Sequence, residues 1–190
     1  MSRTRRRFMQ TIGATGVAAV FTRADAQVSP EGKYPVAELR MDERNCSIWA
    51  RTALHVWPEK YVLVSLPTSS LPQAASIVAL SAGTFAALVL ERDEVSLTLP
   101  EHVWSANAVK ATAQDGPCRA VTFDLRLDLE VFGYFAPAAV RLANERISIV
   151  PQSAYLKDHV LVHEKDLEKT VAILQKLIEE CKTAQKIKPH

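Results

Sequence analysis

The chain has 190 residues, 48% of them apolar and 23% charged, with a formal net charge of +2. That composition excludes a disordered or fibrous chain and leaves room for one large or two small globular domains. It also excludes a general field for nucleic acid: Arg3, Arg5, Arg6, Arg7 and Arg23 all precede residue 27, and the remainder is mildly acidic with no basic stripe interleaved with aromatics.

Residues 1–26, "MSRTRRRFMQTIGATGVAAVFTRADA", have a basic start, a weakly apolar stretch Thr11–Thr22, and Ala24 and Ala26 in an A-x-A arrangement. This pattern predicts a signal peptide. Arg5, Arg6, Phe8 and Met9 fit the twin-arginine export pattern, which implies a periplasmic or secreted protein. Two alternatives stay open: a mitochondrial transit peptide, since no acid precedes Asp25, and a cytosolic chain starting at Met41. The apolar stretch is too short for a stable membrane anchor, which needs roughly 20 residues.

Residues 27–53 form a polar lead-in containing Pro30, Gly32 and Pro35, a linker followed by a short ordered segment around Ile48-Trp49-Ala50. Tyr61–Leu66 is an apolar run that stops at Pro67, as a buried strand does. Ser69 or Ser70 as a helix cap, Pro72 in the first turn, and Ala75, Ile77, Val78 and Leu80 predict a helix. Strands at 84–91 and 94–99 flank the charged turn "ERDE", and Val95, Leu97 and Leu99 alternate with polar residues as in a hairpin with one wet face. A connector with a short helix over 100–110 and a turn at Asp115-Gly116-Pro117 ends the first unit.

The same order then recurs. "RAVTFDLRLDL" predicts a strand, Gly133–Arg146 a helix, and Ile147–Val150 and Val160–Val162 two strands around the polar stretch "QSAYLKDH". Leu167, Val171, Leu174, Leu177 and Ile178 form the stripe of a closing amphipathic helix over 166–181. The expected class is α+β, with antiparallel sheets covered by helices on one face. The expected units are 54–117 and 118–182, with a flexible tail at 183–190.

Residues 146–177, "RISIVPQSAYLKDHVLVHEKDLEKTVAILQKL", with "LDLEVFG" at 127–133 and "LPEHVW" at 99–104, resemble the tandem ACT-domain family, which includes the CASTOR-type arginine sensors. Ser153, Tyr155 and Asp158 match the family's turn, whereas Ala154, Lys157 and His159 replace two threonines and a tyrosine. The resemblance implies two ferredoxin-like ACT modules that bind a small amino acid or related zwitterion at an interface between modules, and a homodimer as a partner state. It further implies ligand-binding roles for Asp128, Gly133, Tyr134, Ser153, Tyr155 and Asp158. Asp128 and Asp158 would meet the ammonium, Gly133 would let backbone approach, and Ser153 would donate a hydroxyl. Lys157 adds a cation that can pair with a carboxylate. Local roles compete with these: Asp158 as a turn former and Asp128 as the cap of the following helix.

Cys46, Cys118 and Cys181 are widely spaced and odd in number, which fits three free thiols, or one disulfide plus a free thiol in an oxidising compartment. His159 and His163 are four apart, but in a strand that spacing is about 13 Å, too far to share one ion. No Ser lies in a G-x-S-x-G setting, and no H-E-x-x-H or Gly-rich phosphate loop is present. The expectation is a non-catalytic binding or sensing protein with no cofactor and no metal. The alternatives are a ligand-free interaction protein, and an enzyme using His159 and the acids in the same cleft.

Overall fold

A computed structural model describes residues 41–107 and 109–186. The leader expected at 1–26 lies outside the described residues, as does most of the lead-in. Asp42 caps the first helix, α1 (Glu43–Arg51), by accepting the Asn45 amide at 2.7 Å, and Glu43 complements the positive end. Strand β1 (Ala53–Val56) follows, then β2 (Tyr61–Leu66), α2 (Leu71–Ala79), β3 (Ala87–Leu90), β4 (Val95–Pro100) and α3 (Glu101–Asn107). The rest runs β5 (Ala113–Asp124), α4 (Ala136–Asn144), β6 (Ile149–Ser153), β7 (Asp158–His163) and α5 (Leu167–Lys186). Residues 43–53, assigned from sequence to the lead-in, thus form α1 and open β1, and 183–186 extend α5.

The seven strands of the described residues form one antiparallel sheet, six of them in the order β3-β4-β2-β5-β7-β6. The seventh, β1, pairs with the end of β5 (Ala53↔Asp124 to Val56↔Val121), while β2 pairs with its beginning (Tyr61↔Cys118, Ser65↔Ala113). β7 takes the opposite edge, with Cys118↔His163 and Thr122↔His159. So β5 serves two four-stranded groups, β5-β2-β4-β3 and β1-β5-β7-β6, and the division drawn from sequence at 117/118 falls inside it. The turn expected at Asp115-Gly116-Pro117 is instead a strand irregularity, where the register against β2 shifts between Tyr61 and Leu63. Gly116 permits it: its φ is +146°, and a Cβ there would stand 3.0 Å from the Tyr61 carbonyl oxygen.

Strand alternation sorts the side chains. On one face, Val62, Val64, Leu66, Val95, Leu97 and Leu99 pack under α2 and α3 with Ala74, Ile77 and Trp104. On the same principle Val121, Phe123, Val160 and Val162 pack with α1, α4 and α5 through Trp49, Leu142, Leu174 and Leu177. A third cluster, Tyr61, Cys118, Ala120 and Leu161 with Trp57, Phe85 and Val150, fills the other side of the sheet. Gln152 on β6 donates to Thr98 on β4 at 2.6 Å, although three strands separate them in the sheet order, so the sheet is curled. The fold class is α+β with a ferredoxin-like sheet.

Candidate functional site

The polar stretch "QSAYLKDH" resolves into strand ends and a tight turn. Gln152 and Ser153 close β6, Asp158 and His159 open β7, and the Ala154 amide donates to the Lys157 carbonyl at 2.9 Å. Ser153 and Asp158 are directly opposite, and the Ser153 hydroxyl donates to Asp158 Oδ1 at 2.6 Å. Beside this turn runs the loop from β5 to α4, tied to it by the Leu127 amide donating to the Leu156 carbonyl at 3.2 Å.

Between turn and loop lies a cleft of about 280 Å³, lined on one side by Leu127, Leu129, Val131 and 133–135 and on the other by 153–158. Five of the six residues expected from sequence, Gly133, Tyr134, Ser153, Tyr155 and Asp158, line it. Asp128 does not: it is exposed, and its carbonyl accepts the Val131 amide at 3.0 Å. Nor does Asp128 cap the next helix, because α4 starts eight residues later with Phe135 at the cap position. All lining residues come from the β1-β5-β7-β6 half of the sheet and its connections.

Gly133 has φ +74°, which lets the loop turn into α4, and the Asn45 side-chain amide holds the neighbouring Phe132 carbonyl at 3.2 Å. No side chain caps α4, whose first turn carries Pro137 and no acid. Tyr134 is the opposite of an open ligand group. Its ring stacks on Trp49 with centroids 4.7 Å apart, its hydroxyl shares a hydrogen bond with Thr52 at 2.8 Å, and its carbonyl accepts the Trp49 indole N–H at 2.8 Å. Burial pushes its phenol well above the usual range, so it stays neutral. Tyr155 and Leu129 stand on the rim, each 78% exposed, with Phe132 and Leu156 also open to solvent.

Lys157 also lines the cleft but its ammonium pairs with the Asp124 carboxylate, which holds that carboxyl below its ordinary range. His159 follows Asp158 in the strand and therefore faces the other side of the sheet, where it is buried. Its Nδ1 lies 2.7 Å from the Thr122 hydroxyl, which accepts the Trp57 indole N–H at 2.8 Å, and its ring stacks on Phe85 at 4.4 Å. An acid–base pair of Asp158 and His159 in one cleft is thereby excluded. The acid pairs also have local partners: Asp93 with Arg92, Glu94 with Ser65, Glu179 with Lys182 and Glu180 with Arg141. Among the described residues no group of three or more His, Cys, Asp or Glu is placed to hold a metal ion, and no helix is long and apolar enough to cross a membrane.

Residues 114–176 match the family model of the ACT domain. Many solved structures share the fold. A protein from Agrobacterium tumefaciens is 22% identical with a TM-score of 0.55, covering 67% of this chain and 90% of its own. A protein of unknown function from Vibrio cholerae is 18% identical with a TM-score of 0.54, covering 69% and 94%. The aspartokinase alpha and beta subunits are 19% identical with a TM-score of 0.52, covering 71% and 98%. No curated protein matches the chain. The family match runs from β5 into α5, and the solved structures share the α+β fold.

Proposed function

We propose that the chain is a non-catalytic binding or sensing protein made of two interleaved ACT modules, with a small amino-acid-like zwitterion held in the cleft between the β6–β7 turn and the 127–135 loop. One module spans 57–112 and the start of β5; the other joins α1 and β1 to the rest of β5 and 125–186, which accounts for the two four-stranded groups. The observation that carries the ligand reading is the meeting of Asp158 and Ser153 with the uncapped start of α4 across one cleft. Asp158, oriented by the Ser153 hydroxyl, offers a carboxylate to an ammonium. The loop backbone beside Gly133 and the positive end of the α4 dipole behind Phe135 offer partial positive charge to a carboxylate.

Calorimetric titration of the full chain against the twenty amino acids tests this. Binding of one compound or a small set is expected, weakened about tenfold or more in Asp158→Asn, equivalent to roughly 1.4 kcal/mol. Absence of binding across the set, or equal affinity in the variant, would sink the reading.

A second reading is supported by the exposed apolar rim of Leu129, Phe132, Tyr155 and Leu156. A second copy docked there would close the cleft and place the ligand between modules of two chains. Sedimentation with and without the ligand separates the cases: a dimer abolished by Phe132→Ser and untouched by Asp158→Asn identifies the rim as an association surface.

A further inference from the structure

All three cysteines are free thiols in the structure, and two of them meet. Cys46 stands on α1 and Cys181 on α5, 135 positions apart, with the Cys46 thiol donating to the Cys181 backbone carbonyl at 3.9 Å. Cys181 is buried in the core beside Ile178 and Leu177. Cys46 is only half-buried and lines a cleft of about 470 Å³ with Met41, Glu43, Ser47, Ala184 and Gln185, which gives a reagent access to its sulfur.

We propose that Cys46 and Cys181 are a reversible redox pair that closes to a disulfide between α1 and α5, with a small-molecule disulfide such as oxidised glutathione as the oxidant. The Cys46 thiolate attacks one glutathione sulfur, forming a mixed disulfide and releasing one glutathione thiolate. Cys181 then gives up its proton and attacks the Cys46 sulfur, breaking the mixed disulfide and releasing the second glutathione. Two protein thiols become one disulfide, glutathione disulfide becomes two thiols, and the two protein protons go to the departing sulfurs. Access sets the order, since burial, and next the Cys46 thiol, push Cys181 up to about 12 and leave it little thiolate at neutral pH. Cys118 is a spectator: it lies on β5 in the cluster on the other side of the sheet, and burial pushes it up to about 11.

The bond has a consequence for the fold. α1 leads directly into β1, the strand that completes one four-stranded group, so pinning α1 to α5 secures that strand against fraying.

The test uses the reduced full chain exposed to oxidised glutathione, followed by alkylation, peptide mapping without reductant, and a melting curve. The expected result is a Cys46–Cys181 cross-linked peptide, an intact mass lower by roughly 2 Da for the two hydrogens lost, alkylated Cys118, and a melting midpoint raised by oxidation and restored by reductant. Cys181→Ala should stop at a stable glutathione adduct on Cys46, and Cys46→Ser should take up no glutathione. A wild-type chain that retains the Cys46 adduct or stays fully alkylatable overturns the proposal. So does a cross-link through Cys118.

Discussion

His159 Nδ1 and Thr122 Oγ1 stand 2.7 Å apart on neighbouring strands, buried on the side of the sheet away from the cleft. Burial is the main reason the imidazole titrates below its ordinary 6.5, with Asp158 pulling it upward and Lys157 downward. The folded chain therefore keeps His159 neutral where the unfolded chain has begun to take up a proton. Stability is fully present above about 6.5 and falls as pH drops from there toward the lower folded value, at no more than about 1.4 kcal/mol per pH unit for one proton. Urea unfolding at pH 7.5 and pH 5.5 is expected to show a loss of stability that shrinks in His159→Gln. An equal loss in both proteins would remove His159 as its source.

Tyr134 tests how far a position that lines the cleft also serves it. Tyr134→Phe removes the buried hydroxyl bonded to Thr52, whose own hydroxyl keeps the Ile48 carbonyl as an acceptor at 3.1 Å. The expected cost is about 1 kcal/mol in denaturant unfolding, the usual size of one buried hydrogen bond. Ligand affinity should be unchanged, because the ring belongs to the core against Trp49. A loss of affinity without a loss of stability would return the hydroxyl to the cleft.

The sequence carries local patterns well and long-range pairing poorly. Tyr61–Leu66 is legible because an apolar run meets Pro67, and the closing helix because its stripe repeats every three to four residues. The ordered segment around Ile48, Trp49 and Ala50 is the buried part of α1, whose start is signalled by Asp42 followed by Glu43 and whose length the surrounding polar residues hide. Nothing local states that β1 pairs with the end of β5 and not with a strand of its own unit, since pairing depends on which apolar faces meet in three dimensions. In the site, the resemblance names Ser153 and Asp158 singly, and their pairing across the turn shows only in the β6–β7 register. The opposite orientation of His159 follows from strand alternation as soon as β7 is known to begin at Asp158. The burial of Tyr134 had no local sign, because its partners Trp49 and Thr52 lie more than eighty residues earlier.

The strand irregularity at Gly116 gives a backbone prediction. Gly116→Ala would put a Cβ 3.0 Å from the Tyr61 carbonyl oxygen at a φ of +146°, which side chains rarely tolerate. A cost of about 2 kcal/mol is expected in denaturant unfolding, with the pairing of β2 and β5 weakened in amide exchange. A neutral substitution would mean that β5 can shift its register locally at no cost.

The leader is tested on the protein as made. The twin-arginine pattern at 5–9 and Ala24 and Ala26 predict cleavage after residue 26, so intact-mass measurement of the purified mature protein should give residues 27–190. Replacing Arg5 and Arg6 with lysine should leave the precursor uncleaved, because a receptor that reads two planar guanidinium forks is not satisfied by ammonium groups of the same charge. Retention of Met1 in the wild type would overturn export. A mature chain starting at Met41 would do the same in favour of the shorter product, and since α1 and its Asp42 cap both follow Met41, they would survive in either form.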